Sequence, residues 1–314
     1  MFCKRPFTYL EIFGNTYSVC CPSWVDPKMN ISSKGKTIEE AWNSEEFQAF
    51  RQSINDGTFT YCNKSCPNFK ARTEIWDRVG WNWPVDHPLE TVRMSFDQGC
   101  NLRCPSCRDC FISTDEESIR GKLSELEKVG KGLKRLELSG AGDPIYSKVF
   151  REWMINFDQD KFPELETIHL MTNAQLFTEE FYKGLGGIKR FLTSVSISID
   201  ACSKEVYEEV RLGGKWERLN RNLKFLVDYS NVQDFEFNFV IQRLNQDQIE
   251  SFYGYCLNLI GTSGKNFKVN YQKYLDWGTK HSVSDSLVCQ SKVQDQLRRL
   301  ISKYKNVYTT YGIG

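Results

Sequence analysis

The chain has 314 residues, with 41 basic against 40 acidic side chains, a formal charge of +1 and 40% hydrophobic residues. This balance excludes the basic excess of a nucleic-acid binder and the acidic bias of a disordered tail, and the composition is that of a globular protein. No apolar run approaches the roughly 20 residues of a membrane span, and the N-terminus shows no apolar segment with a small-residue cleavage site. The expectation is a cytoplasmic protein with neither membrane nor nucleic acid as partner.

In chain order, the first 70 residues read as cysteine-bearing loops around one helical stretch. Thr37-Ile38-Glu39-Glu40 has the form of a capping box, and Asn43 or Ser44 caps EEFQAFRQSIN, which Asn55-Asp56-Gly57 ends. Few apolar side chains stand in periodic array here, so the cysteines are expected to staple this region. Residues 71–89, with Trp76, Trp81 and Trp83, read as a linker.

From residue 90 the pattern alternates. Strand-type runs occur at 90–96, 134–140, 167–173, 194–200, 235–241 and 267–274. Helical stripes fall between them, among them Ile119, Leu123 and Leu126, then Leu219, Leu223 and Leu226, then Ile249, Phe252, Cys256 and Ile260. Six strands alternating with helices predict an α/β chain, a partial (β/α)6 TIM-type barrel spanning 90–314 behind a small cysteine-rich module. In such folds the active site lies beyond the C-terminal ends of the strands.

Twelve cysteines are many for a chain of this length, and nine of them lie within the first 110 residues. Such clustering points to metal or cluster ligation. Cys100, Cys104 and Cys107 follow the first barrel strand directly, in the spacing C-x3-C-x2-C. Three thiolates on one loop hold three irons of a cubane and leave the fourth open for chemistry. Zinc is the plain alternative, but zinc modules pair their ligands, and the chain has only three histidines, His87, His169 and His281.

This arrangement resembles the radical S-adenosylmethionine (SAM) superfamily over residues 90–275, and the later strand ends extend the likeness. Ser139-Gly140-Ala141-Gly142-Asp143-Pro144 resembles the segment that meets the SAM amino group in that family. Thr172-Asn173 ends the third strand as in many members. Ser196-Ile197-Ser198-Ile199-Asp200 resembles the segment reaching the ribose or carboxylate, and Arg211 matches a recurrent arginine. Val240 to Asn245, including Gln242, stands where adenine is lined. Ser106 replaces the family's usual aromatic, and Asp143 is one methylene shorter than the usual Glu. The resemblance implies a [4Fe-4S] cluster on Cys100, Cys104 and Cys107. It implies SAM as cofactor and cleavage of SAM to a 5′-deoxyadenosyl radical that takes a hydrogen atom from substrate.

Cys3, Cys20, Cys62 and Cys66, with the surrounding CKRPF, GNTYSVCCPSW and YCNKSC, resemble a SPASM-type auxiliary-cluster module placed ahead of the barrel instead of behind it. That likeness implies a second [4Fe-4S] cluster with all four irons ligated. Cys21 competes with Cys20, Cys110 reads as a spare thiol, and Cys202, Cys256 and Cys289 stay candidates for a hydrogen-atom donor. Members with such modules act on peptides or on sugars, so the expected partners are a peptide, protein or small-molecule substrate and an electron donor such as flavodoxin or ferredoxin. A non-catalytic zinc or iron–sulfur scaffold is the reading from another class.

Overall fold

The structure is a computed structural model that describes residues 3–64, 66, 89–113, 115–139, 142–276, 278–280 and 287–311. Gly140 and nearly all of the expected linker lie outside the described residues. The chain divides into two compact units.

The first unit comprises Met1–Gln98, Thr114–Gly142 and Asp158–Ile168. Its strands are β1 (Tyr9–Phe13), β2 (Thr16–Ser18), β3 (Ile31–Ser32), β4 (Thr91–Ser95) and β5 (Arg135–Leu138), in the order β5-β4-β1-β2-β3. β1 pairs in parallel with β4, placing Ile12 opposite Met94, and β4 pairs in parallel with β5. The hairpin β1–β2 turns at Gly14, whose φ of 51° is one glycine reaches without strain.

Among the described residues, three α-helices precede β4: α1 (Arg5–Thr8), α2 (Ile38–Trp42) and α3 (Glu45–Asn55). The Thr37–Glu40 capping box forms, and Ser44 accepts from the Phe47 N–H. The thin core expected here is replaced by a closed one. Phe7, Leu10, Ile12, Ile38, Ala41, Phe47, Phe50 and Ile54 are each at most 1% exposed. Arg51 is buried among them. It donates through Nε to the Pro6 carbonyl and through Nη1 to that of Trp42, and burial pushes its guanidinium down to about 10. The helix α4 (Glu116–Lys128) follows β4 and buries the expected Ile119, Leu123 and Leu126.

The second unit comprises Gly99–Ser113, Asp143–Phe157 and His169–Gly314. It holds most of β6 (Thr167–Thr172), with β7 (Leu192–Ser198), β8 (Asp234–Ile241), β9 (Asn266–Lys273) and β10 (Val307–Thr309), in the order β10-β9-β8-β7-β6. β7 to β10 pair in parallel. Its described helices are α5 (Lys148–Ile155), α6 (Glu179–Gly184), α7 (Lys204–Val210), α8 (Trp216–Tyr229), α9 (Ile249–Ile260) and α10 (Gln290–Lys303).

Alternation divides the strand faces. Phe235, Phe237, Phe239 and Ile241 of β8 are buried, with the Phe239 ring 4.7 Å from Phe252 of α9. The even-numbered residues of β7 to β9 point to the opposite face, the strand period being two. Among the described residues no helix is long and apolar enough to cross a membrane.

Candidate metal centre and the strand-end groups

The loop carrying Cys100, Cys104 and Cys107 lies in the second unit. A single turn forms it: the N–H groups of Cys107 and Arg108 both donate to the Cys104 carbonyl, at 2.9 and 3.1 Å. Each sulfur has its own N–H donor. Leu102 N lies 3.4 Å from Cys100 Sγ, Arg211 Nη1 3.5 Å from Cys104 Sγ, and Arg108 Nε 3.5 Å from Cys107 Sγ. Asn173 Nδ2 stands 3.7 Å from Cys100 Sγ and donates to Asn101 Oδ1 at 3.0 Å. Burial pushes the Cys100 thiol up to about 11, Asp143 adding to the rise and the Leu102 N–H opposing it. Burial likewise raises Cys104, against the pull of Arg211.

Asp143, Asn173, Asp200 and Arg211 surround this loop. The buried Asp143 carboxylate accepts from Thr172 Oγ1 and the Asn173 N–H at 2.8 Å each, and from the Ile145 N–H at 3.0 Å. Its own N–H donates to the Gly99 carbonyl. Asp143 therefore holds Asn173 in place and anchors the start of the cysteine loop. Burial raises its pKa, while the Asn173 and Thr172 donors hold it back.

Asp200 is fully buried at φ 64° and pairs with Arg211 Nη2 at 2.9 Å, and the Val240 N–H donates to its other oxygen at 2.7 Å. Burial works against both charges. Asp200, then the Cys104 sulfur, outweigh it for Arg211 and hold the guanidinium above its ordinary range. One arginine thus ties the carboxylate after β7 to a sulfur of the triplet.

The other strand-end residues are placed as follows. Ser198 ends β7 opposite Asn238 and is half-buried. Val240 lies near the end of β8. Gln242 is 1% exposed, its N–H donates to Asn245 Oδ1 at 2.7 Å, and its Nε2 is buried without a hydrogen-bond partner. Gly142 directly precedes Asp143 in the chain.

Gly213 and its neighbours were not foreseen. The Arg103 N–H donates to the Leu212 carbonyl, and Gly213, at φ 94°, brings the chain so close that a Cβ would stand 3.4 Å from the Asn101 carbonyl. Gln175 braces this stretch by donating to Tyr207 OH and to the Lys215 carbonyl. The Gly-Gly pair at 213–214 was the available signal.

In the first unit, Cys3, Cys20, Cys62 and Cys66 share one neighbourhood. Burial pushes Cys62 up to about 12, and Cys3 and Cys66 add to the rise. Cys20 is raised by burial and by the same two thiols, against the opposing charge of Arg5. Backbone bonds from Asp26 to Tyr61 and from Asn63 to Trp24 join the two cysteine-bearing loops. Cys21 instead closes the turn Pro22–Trp24 with its carbonyl. Cys110 and Cys289 are exposed, Cys256 is buried on α9, and Cys202 donates to Ser251 Oγ at 3.2 Å.

Among the described residues, no group of three or more His, Cys, Asp or Glu side chains is arranged to hold a metal ion. A cubane takes one thiolate at each iron corner, so the test of fit is the donor set. Three thiols on one loop, each facing an N–H group, suit anionic ligands of a cluster, whose sulfurs accept such bonds.

No family model matches the chain. It is similar to the GTP 3′,8-cyclase of Petrotoga mobilis, 25% identical over 200 residues that cover 60% of this chain and 57% of that protein. It is similar to the GTP 3′,8-cyclase of Staphylococcus haemolyticus, 25% identical over 224 residues that cover 65% and 58%. The chain thus spans less than two thirds of the length of these curated relatives. The solved structure of native anSMEcpe with bound AdoMet matches it with a TM-score of 0.50 and 17% identity, covering 71% of this chain and 64% of that one. That likeness shows the fold: α/β with a mostly parallel sheet, of the partial-barrel kind.

Proposed function

We infer that this chain is a radical SAM enzyme that reductively cleaves S-adenosylmethionine and takes a hydrogen atom from a peptide substrate. The observation that carries the reading is the loop of Cys100, Cys104 and Cys107, in which each sulfur meets a separate N–H donor. These three thiolates would hold a [4Fe-4S] cluster, which when bound with SAM supplies the electron that breaks the sulfonium bond.

The residues around the loop orient it. Asn173, fixed by Asp143, steadies the Cys100 side of the loop, and Arg211, fixed by Asp200, steadies the Cys104 side. Both are positioning residues. The Ser198 hydroxyl and the unpartnered Gln242 amide are the polar groups at the ends of β7 and β8 that suit the SAM ribose and adenine, and Gly140 and Gly142 suit its amino group by resemblance.

Cys3, Cys20, Cys62 and Cys66 would hold a second cluster, SPASM-like in its ligand set, with no open iron. A flavodoxin or ferredoxin suits the electron supply. A carbohydrate is the other substrate class for such modules, and the cyclase relatives add a nucleotide. The test is anaerobic reconstitution with iron and sulfide, then SAM and dithionite, with 5′-deoxyadenosine measured by chromatography. The wild type should form it. Replacing Cys100, Cys104 and Cys107 together by Ala should abolish it and leave about half of the iron; a triple variant that still cleaves SAM would refute the assignment.

A further inference from the structure

The inner face of β7, β8 and β9 is polar where barrel interiors are ordinarily filled by branched apolar side chains. Asn238 sits at its centre and is 5% exposed. Its Nδ2 donates to Ser196 Oγ at 2.7 Å, and its Oδ1 accepts from Asn270 Nδ2 at 3.2 Å and from Gln272 Nε2 at 3.0 Å. These bonds fix both outer carboxamides with their nitrogens turned inward to Asn238. The Asn270 and Gln272 oxygens are left without a donor among the described residues, and both side chains are half-buried. Tyr274 continues the same alternation one step past β9. It is 7% exposed, and its hydroxyl is buried with no hydrogen-bond partner. A buried hydroxyl without a partner costs free energy that a ligand acceptor would recover.

We propose that Asn270, Gln272 and Tyr274 form the substrate-recognition surface, and that it takes the backbone amides of a peptide, rather than a nucleoside triphosphate. The inference rests on the proposed enzyme function and names how its substrate is held. Two oriented acceptors and one free donor complement an extended peptide residue, whose own N–H and C=O point to the same side. Charge argues the same way. The lysine on this face, Lys268, is already paired with Glu236 at 2.9 Å, and four phosphate charges would need several free cations.

The experiment is saturation-transfer NMR on the anaerobically reconstituted full chain with N-acetylalanine methylamide as probe, and GTP as competitor. The expected result is a signal from the blocked amino acid that GTP at equal concentration does not displace. Gln272→Leu should weaken its Kd about tenfold. Asn270→Leu should act like Gln272→Leu. Should it fail to fold, the half-buried position 272 carries the test alone. No signal from the probe, displacement by GTP, or unchanged binding in the folded leucine variants would overturn the proposal. 5′-Deoxyadenosine formation by the same wild-type preparation is read separately, so loss of the enzymatic reading is distinguishable from loss of this one.

Discussion

Arg211 shows how much one side chain can carry. It is the counter-ion of a fully buried carboxylate and the donor to a cysteine sulfur. Arg211→Met would leave Asp200 charged, buried and held by one backbone N–H, and such broken pairs cost about 3–5 kcal/mol. Urea denaturation of the full chain should show that loss, and a change below about 1 kcal/mol would mean the pair is dispensable. Arg211→Lys should recover only part, because an ammonium lacks the planar fork that reaches both partners. Gly213→Ala should cost about 1–3 kcal/mol from backbone strain and reduce iron bound at the triplet, read by iron analysis. The three cysteines were legible because their spacing is local, and Arg211 through its likeness to a recurrent family arginine. The sequence marked Gly213 only as half of a Gly-Gly pair, because its importance lies in a left-handed φ and in nearness to Asn101, which residue types alone do not display.

The barrel strands were legible as elements because each is a short apolar run between helical stripes, and β4 to β9 lie where the alternation predicts them. β1 escaped. Its first four residues are all buried, so it shows no polar alternation, and its partner β4 lies about 80 residues away, beyond any local signal. Glu90 secures this distant pairing. Its N–H donates to the Thr8 carbonyl, its carbonyl accepts from Lys134 and Arg135, and its carboxylate takes Lys4 and Lys134 at 3.1 Å each. Burial would raise the carboxyl, but the two lysines outweigh it and hold it below its ordinary value. A depressed carboxylate contributes stability above its unfolded pKa, and the contribution is lost as pH falls through the folded value. Glu90→Gln should therefore cost about 0.2–1 kcal/mol at pH 7 and nothing once pH is well below the carboxylate range. Urea midpoints of both proteins at pH 7 and pH 3 measure this, and a difference that persists at pH 3 would contradict it.

For the whole molecule, the question is what the first 66 residues do. With few apolar side chains in view, the sequence suggested a module held together by its cysteines. The closed core of Phe7, Phe47, Phe50 and Ile54 removes that need. Changing Cys62 and Cys66 together to Ala should therefore give a soluble protein with about half the iron, still able to release 5′-deoxyadenosine from SAM but stalled on substrate. Aggregation of this variant would return the cysteines to a structural role, and unchanged iron would show that they ligate nothing. The sheet of the first unit also tapers, from five residues in β1 to three in β2 and two in β3. Exposed strand edges invite pairing with other chains, and very short ones offer little to pair with. Residues 9–32 thus act as a blunt border along β4. A chain trimmed to begin at residue 89 would present the backbone donors and acceptors of β4 unguarded, and light scattering should find it self-associating where the full chain remains monodisperse.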